Sequence, residues 1–247
     1  MIERLPFGLN TRRAHASVTP FRSPGDPDGP SPALVAGGED PDSRINVLGT
    51  AEIYAPNPAA PSGVGDFERQ RIDLSEARTE HGAVVLATGE TLLVGGRGTG
   101  GVLRTMEIVD PVTRRQRTSG VALLRAARTD PTVVRLASGE ILVAGGEDAQ
   151  GPVGTLEWFS ADASRPTKRP VELVTGRERG LVALEGGGAL AVIVPENPTP
   201  DFKTVWVISA EGALEPAQPL DPSTIDVVRL FPGAEGAPLL WTGRRWL

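Results

Sequence analysis

Short runs of branched and apolar residues recur along this chain, each closed by glycine or a charged residue. Ala83-Val84-Val85-Leu86 is one, and Ile141-Leu142-Val143-Ala144, ahead of Gly145-Gly146, is another. Continuous apolar runs of this length between turn residues predict strands covered on both faces. A third, mixed segment follows (Thr105 to Val109), and then a fourth that is polar and basic. Examples of the fourth are Phe67-Glu68-Arg69-Gln70-Arg71, Arg114-Arg115-Gln116-Arg117 and Lys168-Arg169. The pattern predicts four short strands per block, with apolarity falling from the first strands to the fourth.

The blocks are copies of one another. Arg78 maps to Arg128, Gly89 to Gly139, Gly95-Gly96 to Gly145-Gly146 and Thr105 to Thr155, each fifty residues on. An offset held over so many positions marks a repeat architecture. Upstream, Arg12-x-x-His15 matches Arg78-x-x-His81, and Thr50-Ala51-Glu52-Ile53-Tyr54-Ala55-Pro56 matches Thr105 to Pro111. Downstream the copy decays: Ala191 to Val194 and Thr204-Val205-Trp206 keep its places, and a fifth copy runs from Asp226 to Gly243. The paired glycines predict a sharp turn with close backbone approach as the second strand ends. Thr-x-Glu puts two polar side chains on one face of the third strand, free to bond a neighbouring turn.

These features resemble kelch repeats. The residues that carry the resemblance are the Gly-Gly pairs, the Gly-Glu-x-Leu-Leu-Val pattern before them, and Thr-Ala-Glu-Ile-Tyr-Ala-Pro or Thr-Met-Glu-Ile-Val-Asp-Pro after a variable loop. The tryptophan that many kelch copies carry on the fourth strand is absent, with Phe67 nearest to it. The resemblance implies an all-β, kelch-type β-propeller whose four-stranded blades stack radially, the outermost strand meeting water. One domain is expected over 1–247. Its blades span approximately 10–73, 74–123, 124–173 and 174–221, with a partial fifth at 222–247 and 1–9 as the last strand of a shared or preceding blade. Either the ends complete that fifth blade together or the chain is a segment of a larger propeller, and the second is favoured.

Composition bounds the function classes. A net charge of −6 argues against nucleic-acid partners, which need a basic footprint. No run approaches the ~18 apolar residues of a membrane-spanning helix, and no apolar leader follows Met1. With no cysteine, disulfides and thiol chemistry are excluded. Analogy with Arg-rich bacterial kelch arrays leans toward an exported protein. Among kelch enzymes, the copper-radical galactose oxidase type needs two tyrosines and a cysteine. Tyr54 is alone here, so that chemistry is ruled out.

Candidate chemistry is sparse. His15 and His81 fall at matching places after an arginine and read as structural residues where a strand begins, not as ligands or bases. No metal, cofactor or catalytic residue is expected. The loops after the second strand are the most individual segments, and repetition places them on one face, where polar loops on a rigid scaffold make a binding surface. Asp40, Asp42, Arg44, Arg97, Arg104, Glu147, Asp148 and Asp201 are the expected contacts to a protein or glycan ligand. Asp40-x-Asp42 is too short for a calcium loop. Arg97-Gly98-Thr99-Gly100-Gly101 precedes a strand, not a helix, and so is no phosphate cradle. The fourth-strand residues Arg69, Arg71, Arg114, Arg115, Arg117, Lys168 and Arg169 read as edge-strand charge that blocks sheet-to-sheet pairing. The expected function is a non-catalytic binding or scaffold module; the alternative is a sugar-modifying kelch enzyme of the sialic-acid mutarotase type.

Overall fold

A computed structural model describes residues 9–22, 29–42, 46–57, 65–172, 177–194, 205–216, 229–232 and 238–241. All regular structure among them is β. The chain divides into two compact units, Met1–Thr129 and Asp130–Leu247.

The first unit holds two antiparallel sheets. In the first, β1 (Ser17–Pro20), β2 (Ala33–Ala36), β3 (Thr50–Ala55) and β4 (Asp66–Phe67) lie in sequence order, and β5 (Ile72–Asp73) also pairs with β3. In the second, β6 (Gly82–Val85), β7 (Thr91–Val94), β10 (Met106–Asp110) and β11 (Arg115–Arg117) do the same. A small ribbon, β8 (Arg97–Gly98) with β9 (Gly101–Val102), interrupts the step from β7 to β10.

The second unit repeats the plan. Its first sheet is β12 (Thr132–Arg135), β13 (Ile141–Ala144), β16 (Thr155–Phe159) and β17 (Val171–Glu172), with the ribbon β14 (Glu147–Asp148) and β15 (Gly151–Pro152). Its second is β18 (Arg177–Ala183), β19 (Ala189–Val194), β20 (Val205–Ile208) and β21 (Leu214–Pro216), and a pair follows, β22 (Arg229–Pro232) with β23 (Pro238–Trp241).

Burial follows the repeat but not the expected gradient. The second and third strands are the covered ones: every residue of β7, β13 and β16 is buried. The first strand is only half-buried, as Val84 and Val85 in β6 and Val133 and Val134 in β12 show. These strands lie at the end of their sheets, paired on one side alone. The expected fourth strand holds at β11, which is exposed throughout. In the third copy the strand is Val171–Glu172, beyond Lys168-Arg169, because Glu172 and Val171 are the residues that pair with Thr155 and Leu156. In the first copy it splits into β4 and β5 around Glu68 to Arg71.

Sheets within a unit pack by one rule. In the first unit Leu34, Ala36 and Ile53 of the first sheet meet Ala83, Leu93 and Val109 of the second. In the second unit Leu142, Ala144 and Trp158 meet Leu181, Ala191 and Ile208. Alternation along each strand puts these residues on one face, and each fully buried Leu or Ile contributes about 1.5–3 kcal/mol. The first sheet's other face, with Val18, Val35, Ala33, Tyr54 and Phe67, lines a cavity of about 370 Å3.

Glycine pairs tie the sheets together. Gly37 and Gly38 have φ of 60° and 93°, and Gly95 and Gly96 repeat this at 60° and 99°. Gly38 donates its N–H to the carbonyl of Arg78, and Gly96 donates to that of Arg128, each at 2.8 Å. A Cβ on Gly37 would lie 2.3 Å from the Arg78 carbonyl oxygen and 2.8 Å from His81 Cε1. Only glycine fits there.

The same contacts correct the alignment of the histidines. Arg13, not Arg12, corresponds to Arg78: Arg13 donates to the carbonyls of Gly37 and Thr50, as Arg78 does to those of Gly95 and Thr105. His15 therefore matches Glu80 and Asp130, the three sharing a left-handed backbone with φ of 51°, 52° and 47°. His81 matches Ala16, since each lies against the second glycine of a pair. The two histidines occupy different places in their copies.

Candidate functional site

The Thr-x-Glu motif anchors the segments from which the candidate site is built. Glu52 accepts from Arg13 Nη2 at 2.6 Å, from the backbone N–H of Asn10 at 2.7 Å and from that of Thr11 at 3.0 Å. Burial acts to raise the Glu52 carboxyl, but hydrogen bonds from Arg13 and Asn10 with the Arg13 charge hold it below its ordinary value. Glu107 does the same work one copy on, accepting from the backbone N–H of Ser75 at 2.6 Å and from Arg78 at 3.4 Å. Burial lowers Arg78, opposed by the charges of Glu107 and Glu76. These buried groups fix the chain segments that run into β1 and β6.

On that rigid base sits a polar cluster. Glu39 and Arg97 each directly follow a glycine pair, and isolated bridges pin them to Ala14 and Thr79. Arg97 Nη2 lies 3.0 Å from Glu80 Oε1 and 3.9 Å from Glu39 Oε2, while Glu39 Oε1 lies 3.1 Å from His15 Nδ1. Asn46 donates to Glu39 at 3.4 Å. The cluster is open to water: His15 is 59% and Arg97 46% exposed, Glu39 21% and Glu80 23%. Glu39 and His15 come from the first sheet's loops and Glu80 and Arg97 from the second's, so the group straddles the joint between the two sheets.

The expected contact residues fare unequally. Arg97 is central to the cluster. Asp42 is exposed and pairs with Arg12 beside it. Asp40 accepts the N–H of Asp42 at 3.0 Å, and Asp148 accepts those of Gln150 and Gly151 at 2.7 and 3.1 Å, so both carboxylates shape their own turns. Arg104 is exposed, and among the described residues no ion pair joins it to the cluster; its carbonyl accepts the N–H of Leu124. Glu147 is half-buried in β14, at the place of Arg97. Arg44 and Asp201 lie outside the described residues. Sequence reasoning passed over Glu80 and His15. The signal was available, since both sit two residues after the buried arginine of their copy, but it requires choosing Arg13 over Arg12.

Four of the seven residues of the basic stripe are paired. Arg114 meets Glu68, Arg117 lies 3.7 Å from Glu90, Arg71 lies 3.6 Å from Asp73, and Lys168 lies 2.7 Å from Glu140. Exposed pairs of this kind contribute about 0–1 kcal/mol each. Among the described residues no three His, Asp or Glu side chains are placed to hold a metal ion, and no helix is long and apolar enough to cross a membrane. Compared with known proteins, the chain matches no family model, and no curated protein resembles it in sequence.

Proposed function

We propose that the chain adopts a kelch-type β-propeller architecture and acts as a non-catalytic binding or scaffold module. Its contact surface is built from the loops after the second strand of each copy, and its partner is a protein or a glycan. The observation that supports this most is the cluster of His15, Glu39, Glu80 and Arg97: charged, open to solvent, assembled from two copies and held on a buried hydrogen-bonded base. Rigid elements presenting exposed polar loops are a frequent design for recognition. The four-stranded meanders, the fifty-residue spacing and the sheet-on-sheet packing within each unit support the propeller reading.

A second reading, a sugar-modifying kelch enzyme of the mutarotase type, draws on one contact. Glu80 and Glu39 converge on a single arginine, and acid–base work on a sugar requires carboxylates at contact distance. The two readings separate in one experiment. Arg97→Ala together with Arg104→Ala is compared with the unaltered protein in pull-downs from its source lysate and on a glycan array, with circular dichroism as the control for fold. Loss of one captured species with the fold intact supports the binding module, and unchanged capture removes this face from consideration. Accelerated exchange between sugar anomers, followed by NMR and abolished by Glu80→Gln, would establish the enzyme instead.

A further inference from the structure

His81 is buried in the joint beneath the polar cluster. Its Nε2 lies 2.8 Å from Ser17 Oγ on β1, across the interface between the first and second sheets. Its Nδ1 is buried and has no hydrogen-bond partner. The ring packs against Gly37, where a Cβ would come within 2.8 Å of Cε1 and 3.3 Å of Nδ1. A protonated imidazole carries two N–H donors. On the cation Nε2–H can only donate to Ser17 Oγ, which leaves the Nδ1–H buried and unpaired, a costly arrangement. The charge that bears on the ring is Arg78, from the segment leading into its own strand, while Ser17 and Gly37 from the first sheet are neutral. Burial, with Arg78 second, pushes His81 down from 6.5 to about 3.

We propose that His81 makes the joint between the first and second sheets an acid-releasable latch, so that a fall in pH loosens the polar cluster assembled across it and releases its partner. The release of a partner rests on reading that cluster as a contact surface; the latch itself does not. The sign follows from linkage. Above pH 6.5 the imidazole is neutral whether the joint is closed or open, and it contributes nothing to the difference. Below 6.5 the opened form takes up a proton that the closed form refuses down to about 3, so stability drains away across that window. The joint carries a second polar tie, Thr19 Oγ1 to Thr91 Oγ1 at 3.3 Å, which does not titrate in this range.

The latch is testable without any partner. Urea unfolding of the whole chain is followed from pH 7.5 to 4 for the unaltered protein and for His81→Ala, alanine being what the first copy carries at Ala16. The expected result is a loss of about tenfold in the folded-to-unfolded ratio per pH unit below about 6.5, with a slope one proton smaller in the variant. Equal slopes overturn the proposal. Hydrogen exchange adds location: the amide of Gly38, which closes on Arg78, should lose protection at pH 5 before the amides inside β7, and simultaneous loss would refute a local latch. Should His81→Ala fail to fold, His15→Ala leaves a single imidazole. Its NMR signal is expected to stay neutral to about pH 4, and a midpoint near 6.5 would sink the idea. A latch that works while partner capture at pH 7 fails would indict the surface reading alone.

Discussion

Arg78 Nη2 lies 3.4 Å from Glu107 Oε2 with neither side chain reaching solvent, and Arg13 and Glu52 make the same contact one copy earlier at 2.6 Å. Each arginine also donates to two backbone carbonyls, and each glutamate accepts a backbone N–H from the segment before the arginine. The pair therefore staples an incoming chain to the middle of a sheet.

Breaking one partner leaves the other charge buried. Arg78→Met is expected to cost about 3–5 kcal/mol, and so is Glu107→Leu, whereas the double variant should recover much of the loss. A double-mutant cycle by urea unfolding measures the coupling. A cost below about 1 kcal/mol for Glu107→Leu would mean that the carbonyls of Gly95 and Thr105 satisfy Arg78 unaided.

Glu52 should leave its own mark at low pH. Its folded carboxyl lies below the ordinary 4.5, so the stability it brings is present above 4.5 and disappears as pH falls further. Glu52→Gln should flatten the stability curve below about pH 4.5 and leave the stretch from 6.5 to 5 unchanged. A change confined to the upper stretch would contradict the assignment.

The glycine pairs can be probed by contrast. A Cβ on Gly95 would sit 2.6 Å from the Arg128 carbonyl at a φ of 60°, whereas one on Gly89, at 89°, meets nothing within 4 Å. Gly95→Val is expected to lower stability by more than about 3 kcal/mol, adding a clash to the backbone strain, and Gly89→Ala by about 1 kcal/mol. Thermal melts that rank the two equally would refute the close-approach argument.

In the second unit the packing rests on one aromatic residue. Trp158 is 1% exposed at the centre of the cluster with Leu142, Leu156, Leu181 and Ile208. Trp158→Ala should cost about 3–5 kcal/mol by leaving a cavity, and Trp158→Phe clearly less. Urea unfolding of both variants decides it, and equal losses would refute the packing argument.

What was legible in the chain was local. The run Ile141 to Ala144 is β13 residue for residue, and the paired glycines turn where their spacing placed them. Pairings across long separations were not legible. Arg12 and Arg13 stand side by side, and a spacing of three to His15 selects the first, yet burial selects the second through a glutamate 39 residues away. Lys168-Arg169 misplaced the strand, because charge says nothing about which residue's backbone faces a partner: Arg169 is exposed, while Lys168 is half-buried beside Glu140. For the site, Arg97 stood out as a loop charge, while the pairing of Glu80 with it across 17 residues is set by the ribbon of β8 that brings Arg97 over it.

The hydrogen bond from Gly38 to Arg78 gives the first two sheets overlapping ownership of the polypeptide. Leu74 donates to Gly49 and Arg78 to Leu48 across the same border, so a cut there strands several groups that have no other acceptor. An evolutionary or engineered exchange of one copy would need to take its successor's entry segment along. Foreign sequence is better grafted at hairpin tips such as Thr88-Gly89, which face water and serve only their own turn.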